Sequence, residues 1–99
     1  MNLHHIQTSA YTDNALSLCL RYYGVDDAIL LAGDAINCLL DVNWQTQLQG
    51  KTLYLLESDM LSRGLKTKLE NSLNSSHITV IDYAGFVSLS LQFSKVITW

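Results

Sequence analysis

The 99-residue sequence predicts a small α/β fold in one domain, residues 1–99, with a parallel four-stranded sheet flanked by helices. Three observations predict it. The runs Ala28-Ile29-Leu30-Leu31-Ala32 and Thr52-Leu53-Tyr54-Leu55-Leu56 are apolar almost without alternation, as in strands buried on both faces of a parallel sheet. Leu16, Cys19, Leu20 and Tyr23 recur at i, i+3, i+4 and i+7, the stripe of an amphipathic helix. The two patterns alternate as β-α-β-α-β-α-β-α, which implies right-handed crossovers between parallel strands.

Leu3 to Thr8 reads as the first strand. Thr12 or Asp13 is suited to cap a helix that runs to about Tyr23, with Gly24 ending it. Ala28 to Ala32 is the second strand. Gly33-Asp34 turns the chain, and a weak helix is expected over Ala35 to Leu40. Asp41 to Gly50 is polar and loop-like, with at most a helical turn around Trp44. Thr52 to Leu56 is the third strand, followed by a short helix capped by Ser58 or Asp59 and closed at Arg63-Gly64. Lys66 to Ser76 is polar, with Leu69 and Leu73 spaced for one amphipathic helix. Ile78 to Ile81 is the fourth strand. Asp82 opens the last helix, with Phe86, Leu89 and Phe93 on one face, and Val96-Ile97 offers either an edge strand or an extended tail.

The composition narrows the function. Charged residues make up 15% of the chain, against roughly 25% in an average soluble domain, so part of the surface is expected to meet a partner. The net charge is −3 and the six basic residues form no cluster, which argues against direct nucleic-acid binding. No apolar run approaches the ~20 residues of a membrane span, no signal peptide is visible, and the two cysteines have no metal-type spacing; a cytoplasmic, thiol-reduced protein is expected.

No glycine-rich phosphate loop is present, and no cofactor is expected. Cys19 lies beyond the first turn of its helix and on the core stripe, so packing is favoured over thiolate chemistry; Cys38, between Ile36 and Leu39, reads the same way. Adjacent His4 and His5 point to opposite faces of a strand and cannot chelate together, so no metal site is expected. His77 reads as a surface residue. Asp34, Asp59 and Asp82 stand at strand ends, where they resemble an acidic cation site; helix capping accounts for all three more simply. Arg63-Gly64 reads as a helix C-terminus rather than an anion clamp.

Several segments together resemble the TusB/DsrH family. They are the His4-containing start, the Thr12-Asp13 helix opening, Leu30-Leu31 followed by Gly33-Asp34, the Ser62-Arg63-Gly64-Leu65 segment, and Ile81-Asp82-Tyr83-Ala84-Gly85-Phe86-Val87 with Trp99 beyond it. The last block is the most specific, and the resemblance covers essentially the whole length. It implies a DsrE-like fold and a hetero-oligomer with TusC-like and TusD-like paralogues. In that family, persulfide sulfur passes from TusA through TusBCD to TusE, for 2-thiouridine at the tRNA wobble position; the DsrEFH complex is the counterpart in sulfur oxidation. The sulfur-carrying cysteine of the D or E paralogue follows the third strand, before an Arg-Gly pair. The matching stretch here, Leu53 to Gly64, has Leu56, Glu57 and Ser58 and no cysteine. A non-catalytic subunit is therefore expected, with Tyr83, Phe86 and Trp99 as candidate interface residues because aromatics are enriched in interface cores. The alternatives are that Cys19, which matches a first-helix cysteine of DsrH-type members, itself accepts sulfur in a DsrEFH-type relay, or that the chain is a free-standing flavodoxin-like binding module.

Overall fold

The computed structural model describes residues 1–69 and 77–99. Strand β1 (Asn2–Ile6) leads to helix α1 (Ala15–Tyr22), β2 (Ala28–Leu31), a 3-10 helix (Gly33–Leu40), α2 (Val42–Leu48), β3 (Thr52–Leu56), α3 (Glu57–Ser62), β4 (Ile78–Ile81), α4 (Tyr83–Gln92) and β5 (Lys95–Thr98). The five strands form one parallel sheet in the order β4-β3-β2-β1-β5. Val96 and Ile97 thus belong to an edge strand, which pairs Leu3 with Val96 and His4 with Ile97.

The strand order dictates the layering. β1 to β4 step across the sheet in one direction, and right-handed crossovers put their connecting helices on one face. That face holds the larger core: Ile6, Ile29, Leu31, Leu53 and Leu55 from the strands, packed against Leu16, Cys19, Ile36, Leu39, Leu48 and Met60. The step from β4 back to β5 passes over the opposite face, where α4 is the only described helix. There Leu3, Ala28, Leu30 and Leu89 form a smaller cluster, with Tyr54, Ile81, Phe86 and Phe93 around it. Successive strand residues alternate between the two faces, so β2 is buried on both and all four of its residues are buried.

Several local expectations are corrected. The stretch after Asp41 is a helix, not a loop: Asp41 Oδ1 accepts from the Asn43 N–H at 2.8 Å, and Leu48 is driven into the core. The weak helix before it is a 3-10 turn that starts at Gly33 and buries Ala35, Ile36, Cys38 and Leu39. α1 begins at Ala15 with Asn14 at the N-cap; Asp13, one residue earlier, accepts from the Ala15 N–H at 3.1 Å. α3 begins at Glu57 without a side-chain cap, so neither Ser58 nor Asp59 caps it. Asp82 does cap α4, accepting from Gly85 N–H at 2.7 Å. His77 is half-buried and its Nδ1 lies 3.0 Å from the Lys51 carbonyl oxygen, so it is not a free surface residue. Of the Leu69/Leu73 pair, Leu69 is buried, and Leu73 lies outside the described residues.

Candidate functional site

The carboxyl ends of β1, β2 and β3 open into a cleft of about 390 Å³. Parallel sheets place ligands at this end because the chain leaves each strand there in a loop of its own choosing. β1 contributes His5 and, just beyond it, Gln7; the turn after β2 contributes Gly33 and Asp34; β3 ends at Leu56; α3 carries Asp59 and Arg63 lies just beyond it; α4 supplies Tyr83 and Phe86.

Arg63 organises the floor. Its Nε donates to Asp34 Oδ1 at 3.0 Å, and its Nη1 donates to the Asp59 carbonyl at 3.4 Å and lies 3.9 Å from the Asp59 carboxylate. Asp59 Oδ2 in turn accepts from Gly33 N–H at 2.8 Å. Two carboxylates thus surround one guanidinium, which leaves the floor with no surplus positive charge for an anion. Gly33 is required here. Its φ is +55°, and a Cβ would lie 2.9 Å from the Gln7 carbonyl oxygen. The far wall is aromatic: Phe86 meets Tyr83 edge-on with centroids 6.1 Å apart, and the His5 ring at 5.4 Å. Burial of His5 lowers its pKa, and nearby Asp59 offsets only part of that. The imidazole is therefore a neutral hydrogen-bonding group at pH 7, with Nε2 3.3 Å from Gln7 Nε2.

A second polar cluster lies on the other face of the sheet, inside the protein. His4 is fully buried, and its Nε2 lies 2.8 Å from Asp27 Oδ2. Trp99 Nε1 donates to His4 Nδ1 at 3.1 Å. An indole nitrogen can only donate, so His4 carries its proton on Nε2 and donates it to Asp27. Asp27 also accepts from the Asn2 and Gly24 N–H groups at 2.8 and 2.9 Å, and its carbonyl accepts from Tyr23 Oη at 2.6 Å. Burial alone would raise the Asp27 pKa; the bonds from His4, Gly24 and Asn2 outweigh it and hold it at about 2. The cluster ties the start of β1, the α1–β2 turn and the end of β5 together.

Both thiols sit in the larger core, and both are fully buried. Burial pushes Cys19 up to about 12, helped by the nearby Asp27 charge, and pushes Cys38 up to about 12, helped by Asp41. Neither forms an appreciable amount of thiolate at pH 7.

The expected interface residues separate. Tyr83 and Phe86 stand together at the cleft, Tyr83 70% exposed and Phe86 half-buried. Trp99 is on the opposite face, tied to His4 and stacked on Tyr22 with centroids 5.8 Å apart. Asp27 was not singled out in the sequence; its signal was an acidic residue directly before a wholly apolar strand, and its partner His4 is 23 residues away. Asp34 and Asp59 bind Arg63 and Gly33 rather than capping helices. Among the described residues, no three His, Cys, Asp or Glu side chains gather in a way that would hold a metal ion, and no helix is long and apolar enough to cross a membrane.

Residues 8–96 match the family model described as DsrH like protein. The chain belongs to the TusB/DsrH family. Two proteins named TusB illustrate the likeness. That of Escherichia coli O81 (strain ED1a) is 29% identical over 100 residues, covering 98% of this chain and 99% of its own. That of Yersinia pestis (strain Pestoides F) is 31% identical over 87 residues, covering 85% and 86%. The crystal structure of the ychN protein from E. coli superposes with a TM-score of 0.78 at 17% identity, covering 99% of this chain and 97% of that one. This likeness supports the DsrE-like fold expected of a TusB/DsrH member.

Proposed function

We propose that this TusB/DsrH-family chain is a non-catalytic subunit of a cytoplasmic TusBCD-type sulfurtransferase complex. There it would shape the assembly that relays persulfide sulfur toward 2-thiouridine at the tRNA wobble position. The observation that carries this reading is the placement of the two thiols: both are fully buried, and burial pushes each up to about 12. A sulfur carrier needs an exposed thiolate that can attack a donor persulfide and later yield its sulfur to an acceptor. The cleft supports the same reading: at the end of β3 its lining contributes Leu56, which can carry no persulfide. TusC-like and TusD-like paralogues are the proposed partners. Tyr83, Phe86 and Trp99 remain the proposed contact residues, with Tyr83 foremost because it is the most exposed of the three.

The test is to co-express the chain with its paralogues, supply the purified assembly with a persulfide donor, and trap sulfur by alkylation and mass spectrometry. Sulfur is expected on a paralogue and none on Cys19, and a Cys19→Ser assembly is expected to keep full relay activity. Persulfide on Cys19, with relay lost in Cys19→Ser, would establish the alternative in which this chain accepts sulfur. A chain that captures neither paralogue would end the subunit reading.

A further inference from the structure

The charges of the cleft at the strand ends do not balance. Asp34 and Asp59 line it against a single cation, Arg63, the only one of the chain's six basic residues in its lining. The Asp34 side chain is 64% exposed. Arg63 Nε engages its Oδ1, and among the described residues Oδ2 accepts no hydrogen bond. Tyr83 and Phe86 supply the aromatic wall, and Ala32 and Leu56 add apolar surface. We propose that this cleft is a cation site that takes a Lys or Arg side chain of an adjoining paralogue, its charged head at Asp34 and the aromatic rings and its alkyl stem along the apolar lining.

Charge and shape point to that occupant. An anion finds Arg63 already engaged by two carboxylates, and a neutral ligand leaves the excess carboxylate uncompensated. A second cation sets two positive charges against two negative ones. Ring faces attract a cation as well, and His5 adds no like charge, because burial lowers its pKa and keeps it neutral at pH 7. Beyond the lining, Glu57 and Asp82 follow β3 and β4 at the same end of the sheet, and both are exposed. The rim therefore steers positive charge inward. A Lys or Arg side chain joins a charged head to an apolar stem, the combination that this lining matches. At about 390 Å³ the cleft is at the small end of the range for ligand pockets, suited to a side chain and its flanking backbone. A second copy of this chain, at −3, is repelled from such a rim. Tyr83, at the mouth, is also the foremost contact residue proposed for the paralogues, so the subunit that covers it reaches the cleft. The proposal rests on the subunit reading and adds the chemistry of the contact.

The first experiment titrates the chain alone with N-acetyl-arginine methylamide and with its uncharged norleucine analogue, followed by the NMR signals of His5, Tyr83 and Phe86. The arginine probe is expected to bind about tenfold more tightly. Asp34→Asn is expected to erase that preference. Asp26→Asn, the same charge change at an exposed site in the α1–β2 turn, at the opposite end of β2, is expected to keep it. The second experiment places p-benzoylphenylalanine at position 83 of the chain co-expressed with its paralogues and irradiates the assembly. The adduct is expected beside a paralogue's Lys or Arg, and changing that residue to Met is expected to lower the yield severalfold. Three results overturn the proposal and leave the subunit reading standing: no preference for the arginine probe, a preference that survives Asp34→Asn, or an adduct whose yield ignores the paralogue's basic residue. Arginine preference in a chain that captures no paralogue ends the subunit reading and overturns the paralogue as the source, leaving a site for a free alkyl cation.

Discussion

Asp27→Asn tests the polar cluster that closes the sheet. Asp27 accepts three hydrogen bonds, from Asn2 N–H on Oδ1 and from His4 Nε2 and Gly24 N–H on Oδ2. Asparagine keeps one acceptor oxygen. Placed at Oδ2 it still serves His4 and Gly24, but its NH₂ then faces the Asn2 N–H; placed at Oδ1 it opposes two donors. The better arrangement leaves one donor unsatisfied and makes the two surviving bonds neutral. Hydrogen bonds to a charged group contribute about 1.5–3 kcal/mol, and an unsatisfied buried donor costs about 1–3, so about 3 kcal/mol of stability should be lost at pH 7. For a domain of this size that is a fall in Tm of roughly 12–24 °C. The pH dependence follows from the acceptor's depressed pKa. Asp27 titrates at about 2 in the folded protein and at 3.8 in its reference state. The unfolded chain therefore binds more protons between those values, and the stabilisation is complete above pH 3.8 and lost as pH falls toward 2. Chemical denaturation followed by circular dichroism should show the gap between the two proteins at pH 7 and its narrowing below pH 4. A loss under about 1 kcal/mol at pH 7, or an equal gap at pH 2.5 and pH 7, would refute the reasoning.

Two further substitutions probe neighbouring features. Trp99→Phe keeps the aromatic ring but removes the donor to His4 Nδ1, leaving a buried acceptor unpaired; a loss of about 1–3 kcal/mol is expected in the same denaturation assay, and a neutral outcome would mean that Trp99 does not secure the end of β5. Gly33→Ala forces a Cβ to 2.9 Å from the Gln7 carbonyl oxygen at a φ of +55°. It should destabilise by about 2–3 kcal/mol, and retention of the full Tm would show that the cleft floor adapts without strain.

The sequence alone was enough for β2 and β3, because an apolar run without alternation has few uses besides a strand buried on both faces; it left Val96-Ile97 open between an edge strand and a tail, and the pairing with β1 makes it a strand. It also yielded the last helix, the Asp82 cap, the family and the missing thiol after β3, all of which are local in the chain. It misread Asp41 to Gly50 as a loop, because the polar residues of α2 hide Leu48 and Trp44, whose packing against the core holds the helix down. What only the tertiary structure decided was long-range. Asp27 meets His4, Arg63 meets Asp34, and Trp99 reaches back to β1 because a parallel sheet juxtaposes residues tens of positions apart, and no local pattern encodes such pairs. The strand order had the same effect at larger scale. By sending one crossover back over the face that no other described helix covers, it set Phe86 and Leu89 of α4 against the sheet, an arrangement that no spacing in the chain could announce.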